Sequence, residues 1–409
     1  MISIEGKIIN NNEEIRRRVE IDEITGLITK VAVPTGSADF IFEDELIFPG
    51  FIDLHVHARE DASHAQDYKE DFVTAGEAAI NGGVVAFAEM PNNPVPPVDD
   101  SSYSEKTKLT GKCGVEVVLY AGIGRETKPL SRPVPYKVFM GPSVGELFFS
   151  SKEALEKRME LYKGQNVSFH CEDPLILDKN RDRATHEERR GEEAEVSAVD
   201  FALKLIEKYG LSGKICHCST KKGIEKIKEA KARGVKVMAE VSPHHLYYDA
   251  GIITEDNRKW MQMNPPLRSP EDRDYLIRSL QDGTIDFLAT DHAPHTKEEK
   301  LKGISGTPQL DTYGLFATWL MKERNFSAFD IARVCNQNPG SFINKFSSDK
   351  YGKIEEGYAG SLTILDLNQS TTVTEEKLKT KCGWSPFLGV TFPGSVEMTI
   401  VKGKVYEKK

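Results

Sequence analysis

The middle of the chain alternates short apolar segments with longer amphipathic ones, and this alternation restricts the fold more than any other feature of the sequence. Helix-like segments, such as residues 195–210 and 221–234, separate many of the apolar ones. Strand–helix alternation predicts a parallel sheet, and eight strands over roughly 300 residues match a (β/α)8 barrel in size. The eight predicted strands are residues 51–57, 84–90, 115–123, 136–140, 167–172, 214–219, 235–242 and 286–292.

The two ends of the chain have a different pattern. Both contain short segments in which apolar and polar residues alternate, separated by turns rich in Asn and Gly. This pattern is typical of strands joined by turns. We therefore predict that residues 1–48 and 352–409 form one small β-sandwich domain, and that residues 49–351 form the barrel.

Composition and charge exclude some classes of function. The 409-residue chain has a net charge of -9, the opposite sign to that of most proteins that bind nucleic acid. Its mean hydropathy is -0.43, and no apolar segment approaches the ~20 residues needed to span a bilayer. The first residues lack the pattern of a secretory signal, and the six cysteines form no C-x-x-C pair. We expect a cytoplasmic protein with neither nucleic acid nor a membrane as a partner.

Several predicted strands end in residues that can bind metal ions. In a (β/α)8 barrel, functional groups lie at the carboxyl ends of the strands. His55 and His57 are two residues apart on the first strand, so both imidazoles lie on one face, within reach of one ion. A soluble core rarely places so many titratable groups at successive strand ends, so the pattern predicts a metal site. The candidates are His55, His57, Lys137, His170, His217 and Asp291.

Lys137 and Asp291 require separate interpretations. An ammonium cannot bind a metal ion, but carbamylation of Lys137 by CO2 would give a carboxylate able to bridge two ions. An unmodified Lys137 would instead extend to the barrel rim, and the residues alone leave both possibilities open. Asp291 can bind a metal ion, take a proton from an attacking water and pass it to the leaving nitrogen. Imidazole and carboxylate ligands suit zinc, although cobalt or manganese can replace it.

The cysteines on either side of His217 are expected to be structural. Cys216 and Cys218 flank the histidine on a strand-like segment, so their side chains should lie on the face opposite to it. Buried thiols without a metal role behave as small apolar side chains. We therefore predict that both are buried core residues.

Four segments of the chain resemble the dihydroorotase family of the amidohydrolase superfamily. The resemblance runs over most of the region from residue 48 to residue 365, and the four segments occur in the family's order. The combination of the H-x-H, TDHAPH and MNPPLR motifs is more specific than any of them alone. The segments are FPGFIDLHVHARE (48–60), KEDFVTAGEAAINGGVVAFAEMPNNP (69–94), MNPPLR (263–268) and DFLATDHAPHTKEEK (286–300).

The resemblance implies a cofactor and a role for each matching residue. It implies two Zn2+ per subunit, bridged by a carboxylated Lys137 and a hydroxide, with Asp291 as the catalytic acid/base. Arg59 resembles the arginine that binds the substrate carboxylate, a role that suits a planar, bidentate guanidinium. Gly306 and Pro308 resemble a loop that offers backbone groups to the substrate ring. The implied ligands are His55, His57 and Asp291 for the more buried ion and His170 and His217 for the other; the implied substrate contacts are Arg59, Asn92, Asn264 and His295.

The reaction implied by the resemblance is the reversible cyclisation of N-carbamoyl-L-aspartate to L-dihydroorotate in pyrimidine synthesis. The family also implies a homodimer or an association with aspartate transcarbamoylase. One alternative is a hydantoinase, dihydropyrimidinase or allantoinase, which share the metal ligands. Another is an inactive scaffold subunit, although such homologues typically lose ligands that are all present here.

The chain also departs from the family's usual motifs. Glu60-Asp61-Ala62 replaces the common E-P-G after Arg59, and Asn93 replaces a threonine. The loop 303–312 is also unlike the commoner versions. These departures concern the conformation of loops rather than the metal ligands.

Overall fold

The structure is a computed structural model that describes residues 1–10, 13–141 and 147–407. Many of its helices begin after an Asp, Ser or Thr whose side chain accepts a hydrogen bond from the first turn. The strands are β1 (Ile2–Asn10), β2 (Glu13–Asp22), β3 (Leu27–Ala32), β4 (Phe40–Pro49), β5 (Phe51–Val56), β6 (Val84–Glu89), β7 (Glu116–Leu119), β8 (Ala121–Gly122), β9 (Tyr136–Phe139), β10 (Asn166–His170), β11 (Ser212–Ile215), β12 (Val237–Val241), β13 (Phe287–Leu288), β14 (Leu362–Asp366), β15 (Thr371–Thr372), β16 (Thr391–Phe392), β17 (Ser395–Val401) and β18 (Lys404–Glu407). The helices are α1 (Phe72–Asn81), α2 (Asp100–Thr110), α3 (Lys152–Met159), α4 (Pro174–Lys179), α5 (His186–Arg189), α6 (Glu192–Tyr209), α7 (Lys221–Ala232), α8 (Pro243–Tyr247), α9 (Pro270–Gln281), α10 (Lys297–Leu301), α11 (Tyr313–Arg324), α12 (Ala328–Ala332) and α13 (Asn338–Ile343).

Strands from both ends of the chain share one sheet. Its seven strands have the order β18-β17-β14-β4-β1-β2-β3. The C-terminal strand β14 pairs antiparallel with β4, and β4 pairs parallel with β1, so the two ends are joined by backbone hydrogen bonds. Alternate residues of these strands, such as Ile4, Ile47, Ile364 and Ile400, are buried in a core of their own.

The middle of the chain forms parallel strands that follow one another in chain order. β5, β6 and β7 form one sheet, and β8 to β13 form another, with every neighbouring pair parallel. Tyr120 alone separates β7 from β8. His57 N donates to His292 O (2.8 Å) and His292 N donates to His55 O (3.2 Å), which joins the last segment to the first. The carboxyl ends of the strands therefore face one common space.

The predicted elements of the middle region are confirmed, with three differences in the strands. The predicted strand 214–219 is observed as β11, which ends at Ile215. Residues 115–123 form two strands instead of one, and residues 286–292 contain only the short strand β13 before the backbone turns toward the site. The segments 195–210 and 221–234 contain α6 and α7, as predicted. None of the helices in the described part of the chain is long and apolar enough to cross a membrane.

Candidate metal centre and substrate-binding loops

His55, His57 and Asp291 converge at the carboxyl end of β5. The Nε2 atoms of both imidazoles lie 3.2 Å from Asp291 Oδ1. The strand periodicity places both histidines on one side, as the sequence predicted. Asp291 has a positive φ of 50°, a backbone conformation that is costly for a residue other than glycine and often found at functional sites. The three side chains offer donor atoms close enough together to hold one cation.

His170 and His217 form a second group beside the first. His170 is the last residue of β10, and its Nδ1 lies 2.9 Å from His217 Nε2. The rings of His55 and His217 are 5.2 Å apart, centroid to centroid, so the two groups are adjacent. The structure therefore brings together the four histidines that the sequence selected from strand ends far apart in the chain.

Lys137 lies inside the ring of strands, on β9, with a fully buried side chain. Its Nζ lies 2.8 Å from Cys216 Sγ. Among the residues that the structure describes, no carboxylate oxygen lies within 4.0 Å of this amine. A buried ammonium without an anionic partner is unfavourable, and conversion to a carbamate would remove the positive charge. The segment that follows Lys137 includes residues 142–146, which lie outside the described residues.

The electrostatics of the site suit metal ligands. Burial lowers the pKa of His55, His57 and His217 well below the usual value, and neighbouring cations, Lys137 for His55 and Arg59 for His57, lower it further. These imidazoles are therefore neutral at pH 7, the form in which histidine binds a metal ion. Burial raises the pKa of Asp291 well above its usual value, against the opposing effect of Lys137. A nearby cation would favour the carboxylate form.

Two buried glutamates that were not selected from the sequence orient the candidate ligands. Glu240 on β12 bonds His55 Nδ1 and accepts from His217 N (3.1 Å), while its other oxygen accepts from Lys214 Nζ. Glu172 Oε2 lies 2.9 Å from His170 Nε2. Such carboxylates fix which imidazole nitrogen carries the proton and so leave the other free for a metal ion. Both lie within predicted strands, where an acidic residue among apolar ones was an available signal.

Cys216 lies in the site, so the prediction that it faces away from His217 was wrong. Its sulfur contacts Lys137 Nζ and belongs to a second group of candidate donors with His55 and Glu240. The reason is local: β11 ends at Ile215, and the backbone turns at His217, which has a φ of 32°. Strand alternation therefore stops before residue 216. Both Cys216 and Cys218 are buried, as predicted.

Arg59 lies beside the candidate metal ligands as a buried cation. Its Nε donates to Pro294 O (3.2 Å), and its Nη2 lies 3.2 Å from His295 Nε2. Only 3% of the residue is exposed. Within the described ranges, no carboxylate oxygen lies within 4.0 Å of its guanidinium. The structure therefore brings Arg59 and His295 together, with the guanidinium free to bind an anionic group.

The two candidate asparagines have different surroundings. Asn264 is half-buried, and its Oδ1 accepts from Arg190 Nε (2.9 Å). Arg190 Nη1 also lies 3.2 Å from Glu172 Oε2, so Asn264 is connected to His170 through two side chains. Asn92 follows β6, and its Oδ1 is buried without a hydrogen-bond partner. An unpartnered buried oxygen of this kind is available to a ligand.

The chain belongs to the amidohydrolase family. The sequence model of this family matches residues 46–118 and 150–406. The chain is 32% identical to a dihydroorotase from Staphylococcus epidermidis, over 98% of this chain and 97% of that one. It is 30% identical to a dihydroorotase from Staphylococcus aureus, with the same coverage of both chains. The family recognised from the sequence motifs is thereby confirmed.

Solved structures with the same fold carry the names of other enzymes. L-hydantoinase (dihydropyrimidinase) from Arthrobacter aurescens matches with a TM-score of 0.88 at 23% identity, over 100% of this chain and 96% of that one. D-hydantoinase (dihydropyrimidinase) from Thermus sp. matches with a TM-score of 0.87 at 20% identity, over 100% and 95% of the two chains. At such identities the likeness establishes the fold and not the substrate.

Proposed function

We propose that this chain is a dihydroorotase, which interconverts N-carbamoyl-L-aspartate and L-dihydroorotate. Relatives of that name match the chain over nearly its whole length. The observation that carries the proposal is Arg59, a buried guanidinium beside the candidate ligands that has no carboxylate partner among the described residues. A buried guanidinium without a carboxylate partner favours the binding of an anion. The carboxylate of dihydroorotate supplies one, whereas unsubstituted hydantoin has none.

The donor set fits a pair of divalent ions, and we propose that zinc is the resident metal. His55, His57 and Asp291 would hold one ion, His170 and His217 the other, and a carboxylated Lys137 would bind both. When bound, the ions would polarise the ring carbonyl and lower the pKa of the attacking water. The neutral imidazoles support this assignment, as does the Lys137 amine, which has no carboxylate partner among the described residues.

The chain's own residues supply proton transfer and orientation. Asp291 takes the proton from the attacking water and passes it to the ring nitrogen as the amide bond breaks; ring closure is the reverse. Arg59 binds the substrate carboxylate through parallel hydrogen bonds. Asn92, Asn264 and His295 hold the remaining polar atoms of the ring. Burial and the adjacent Arg59 lower the pKa of His295, which keeps this imidazole neutral as a hydrogen-bonding group.

The same proposal extends to the architecture. We propose that the ring of parallel strands is a (β/α)8 barrel over residues 49–351 and that residues 1–48 and 352–409 form the β-sandwich domain. The shared sheet of the two chain ends supports the second part. A cytoplasmic location, a homodimer and an association with aspartate transcarbamoylase stay predictions.

A substrate comparison tests the function. We expect the zinc-loaded protein to open dihydroorotate and to close carbamoyl aspartate, with much slower opening of hydantoin and allantoin. Arg59→Met should lower kcat/KM for dihydroorotate roughly 30-fold or more, because it removes one partner of a buried charge pair. The exposed Arg132→Met is the matched control and should behave as the wild type.

The outcomes separate the alternatives. Opening of hydantoin without any effect on dihydroorotate would establish the hydantoinase alternative. A protein that holds no zinc after gentle purification and is inactive on all four compounds would favour the scaffold alternative. Equal activity of Arg59→Met and the wild type on dihydroorotate would overturn the role of Arg59.

A further inference from the structure

Lys300 is a fully buried lysine at the end of the DHAPHTKEEK motif, and the proposed reaction gives it no role. It lies on α10, the short helix that begins two residues after His295. Among the described residues, no carboxylate oxygen lies within 4.0 Å of its Nζ. Because an unpaired buried ammonium is costly, other groups must stabilise the charge of this side chain.

Three backbone carbonyls take the place of an anion. Lys300 Nζ donates to the carbonyl oxygens of Gln262 (2.9 Å), Ile304 (2.8 Å) and Gly306 (2.9 Å). An ammonium has three donors, and all three are used. Burial lowers the pKa of Lys300 to about 7.

The three carbonyls belong to two segments that flank the proposed substrate site. Gln262 is two residues before Asn264, and Gly306 N donates back to Gln262 O (3.0 Å). Gly306 has a φ of 133°, and a Cβ added to it would lie 3.0 Å from the His295 ring. The loop around Gly306 therefore packs directly against His295.

Trp384 packs against the same ammonium and also contacts the segment that carries His295. Its indole ring lies under Lys300, with Nζ 5.5 Å from the ring centroid. Its Nε1 donates to the carbonyl oxygen of His295 (2.7 Å). A cation beside an indole face is stabilised by the ring's quadrupole. Lys300 and Trp384 together thus contact the segments that carry Asn264, Gly306 and His295.

We propose that Lys300 is a positioning residue for substrate binding. Its ammonium joins the backbone of the segment before Asn264 to that of the loop around Gly306, which packs against His295. The inference rests on the proposed function. It predicts that loss of Lys300 weakens substrate binding without loss of metal, because none of its contacts is with a candidate ligand. The separate loops would then move independently.

The test compares Lys300→Met with the exposed Lys302→Met. We expect Lys300→Met to raise KM for dihydroorotate about tenfold or more, the loss typical of a hydrogen-bonded charged group. kcat should fall much less, and zinc content should equal that of the wild type. Without substrate, the amides of residues 303–307 should exchange with deuterium faster. Lys302→Met should change none of these quantities.

Each result bears on one claim. Unchanged KM and unchanged exchange in Lys300→Met would overturn the positioning role. If the wild type does not act on dihydroorotate, the proposed function fails, while the exchange measurement still tests the role of Lys300 in holding the loops. If Lys300→Met does not fold, Lys300→Gln, with two donors in place of three, should show a smaller rise in both quantities.

Discussion

The two halves of the candidate site are built differently. The half with the candidate metal ligands, here called the metal-binding half, consists of side chains at or near the ends of paired parallel strands. The half with the proposed substrate contacts, here called the substrate-binding half, consists of loops. In the first half, the buried carboxylates of Glu240 and Glu172 hold the imidazole rings. In the second, buried donors such as Lys300 and Trp384 hold backbone carbonyls. Ring orientation is thus set by side chains in one half, and loop position is set by backbone contacts in the other.

This difference separates the expected consequences of mutation. Changes to Glu240 or Glu172 should affect metal binding and the stability of the strands that carry the candidate ligands. Changes to the loop donors should affect substrate binding while the metal ligands keep their places. Three predictions test this division, in order of decreasing effect.

The largest effect is expected at Glu240. Glu240→Leu leaves the Lys214 ammonium buried without its partner, which should lower the free energy of unfolding by about 3–5 kcal/mol. Burial opposes the charge on Lys214, and Glu240 raises its pKa, so the pair is interdependent. Urea unfolding and zinc content measure the effect.

A double variant separates stability from metal binding at this position. Glu240→Leu combined with Lys214→Met removes both charges and should recover most of the lost stability. Zinc content should stay low, because His55 still lacks the carboxylate that orients it. A single variant as stable as the wild type, or a double variant with full zinc content, would contradict the role given to Glu240.

An intermediate effect is expected at Glu172. Glu172→Gln removes the charge between His170 and Arg190, and the affinity for zinc should fall about 10–100-fold, as for other carboxylates that orient histidine ligands. Competition with a chelator measures this affinity, and the exposed Glu188→Gln is the control. Because Arg190 also holds Asn264, KM should rise as well. Unchanged zinc affinity would contradict the role of Glu172 in orienting His170, and an unchanged KM would contradict the link from Glu172 to Asn264.

The smallest effect is expected at Trp384. Trp384→Phe keeps an aromatic ring but removes the hydrogen bond to His295 O, which should cost about 1 kcal/mol of substrate binding. Steady-state kinetics should show this as a rise of KM with kcat and zinc content unchanged. Loss of zinc would contradict the separation of the two halves, and Trp260→Phe, which changes the ring packed against Trp384, is the matched control.

The sequence predicted the candidate metal ligands better than the buried residues that orient them. Strand periodicity was sufficient to place His55 and His57 together, because neighbouring alternate residues share a face. It failed at Cys216, because periodicity says nothing about where a strand stops, and the backbone turns at His217. Glu240 and Glu172 could be recognised from the sequence as acidic residues within apolar strands. Only their contacts in the structure showed which imidazole rings they orient.

The sequence by itself determined the candidate ligands, their order along the strands and the family to which the chain belongs, because these follow from local periodicity and short motifs. The tertiary structure decided which nitrogen of His55 and of His170 is available, which buried cations lack an anion and how the loops are held. These features depend on contacts between residues far apart in the chain, such as His55 with Glu240 and His295 with Trp384. Burial then determines their energies, since unpaired charges and polar atoms are costly only where water is excluded.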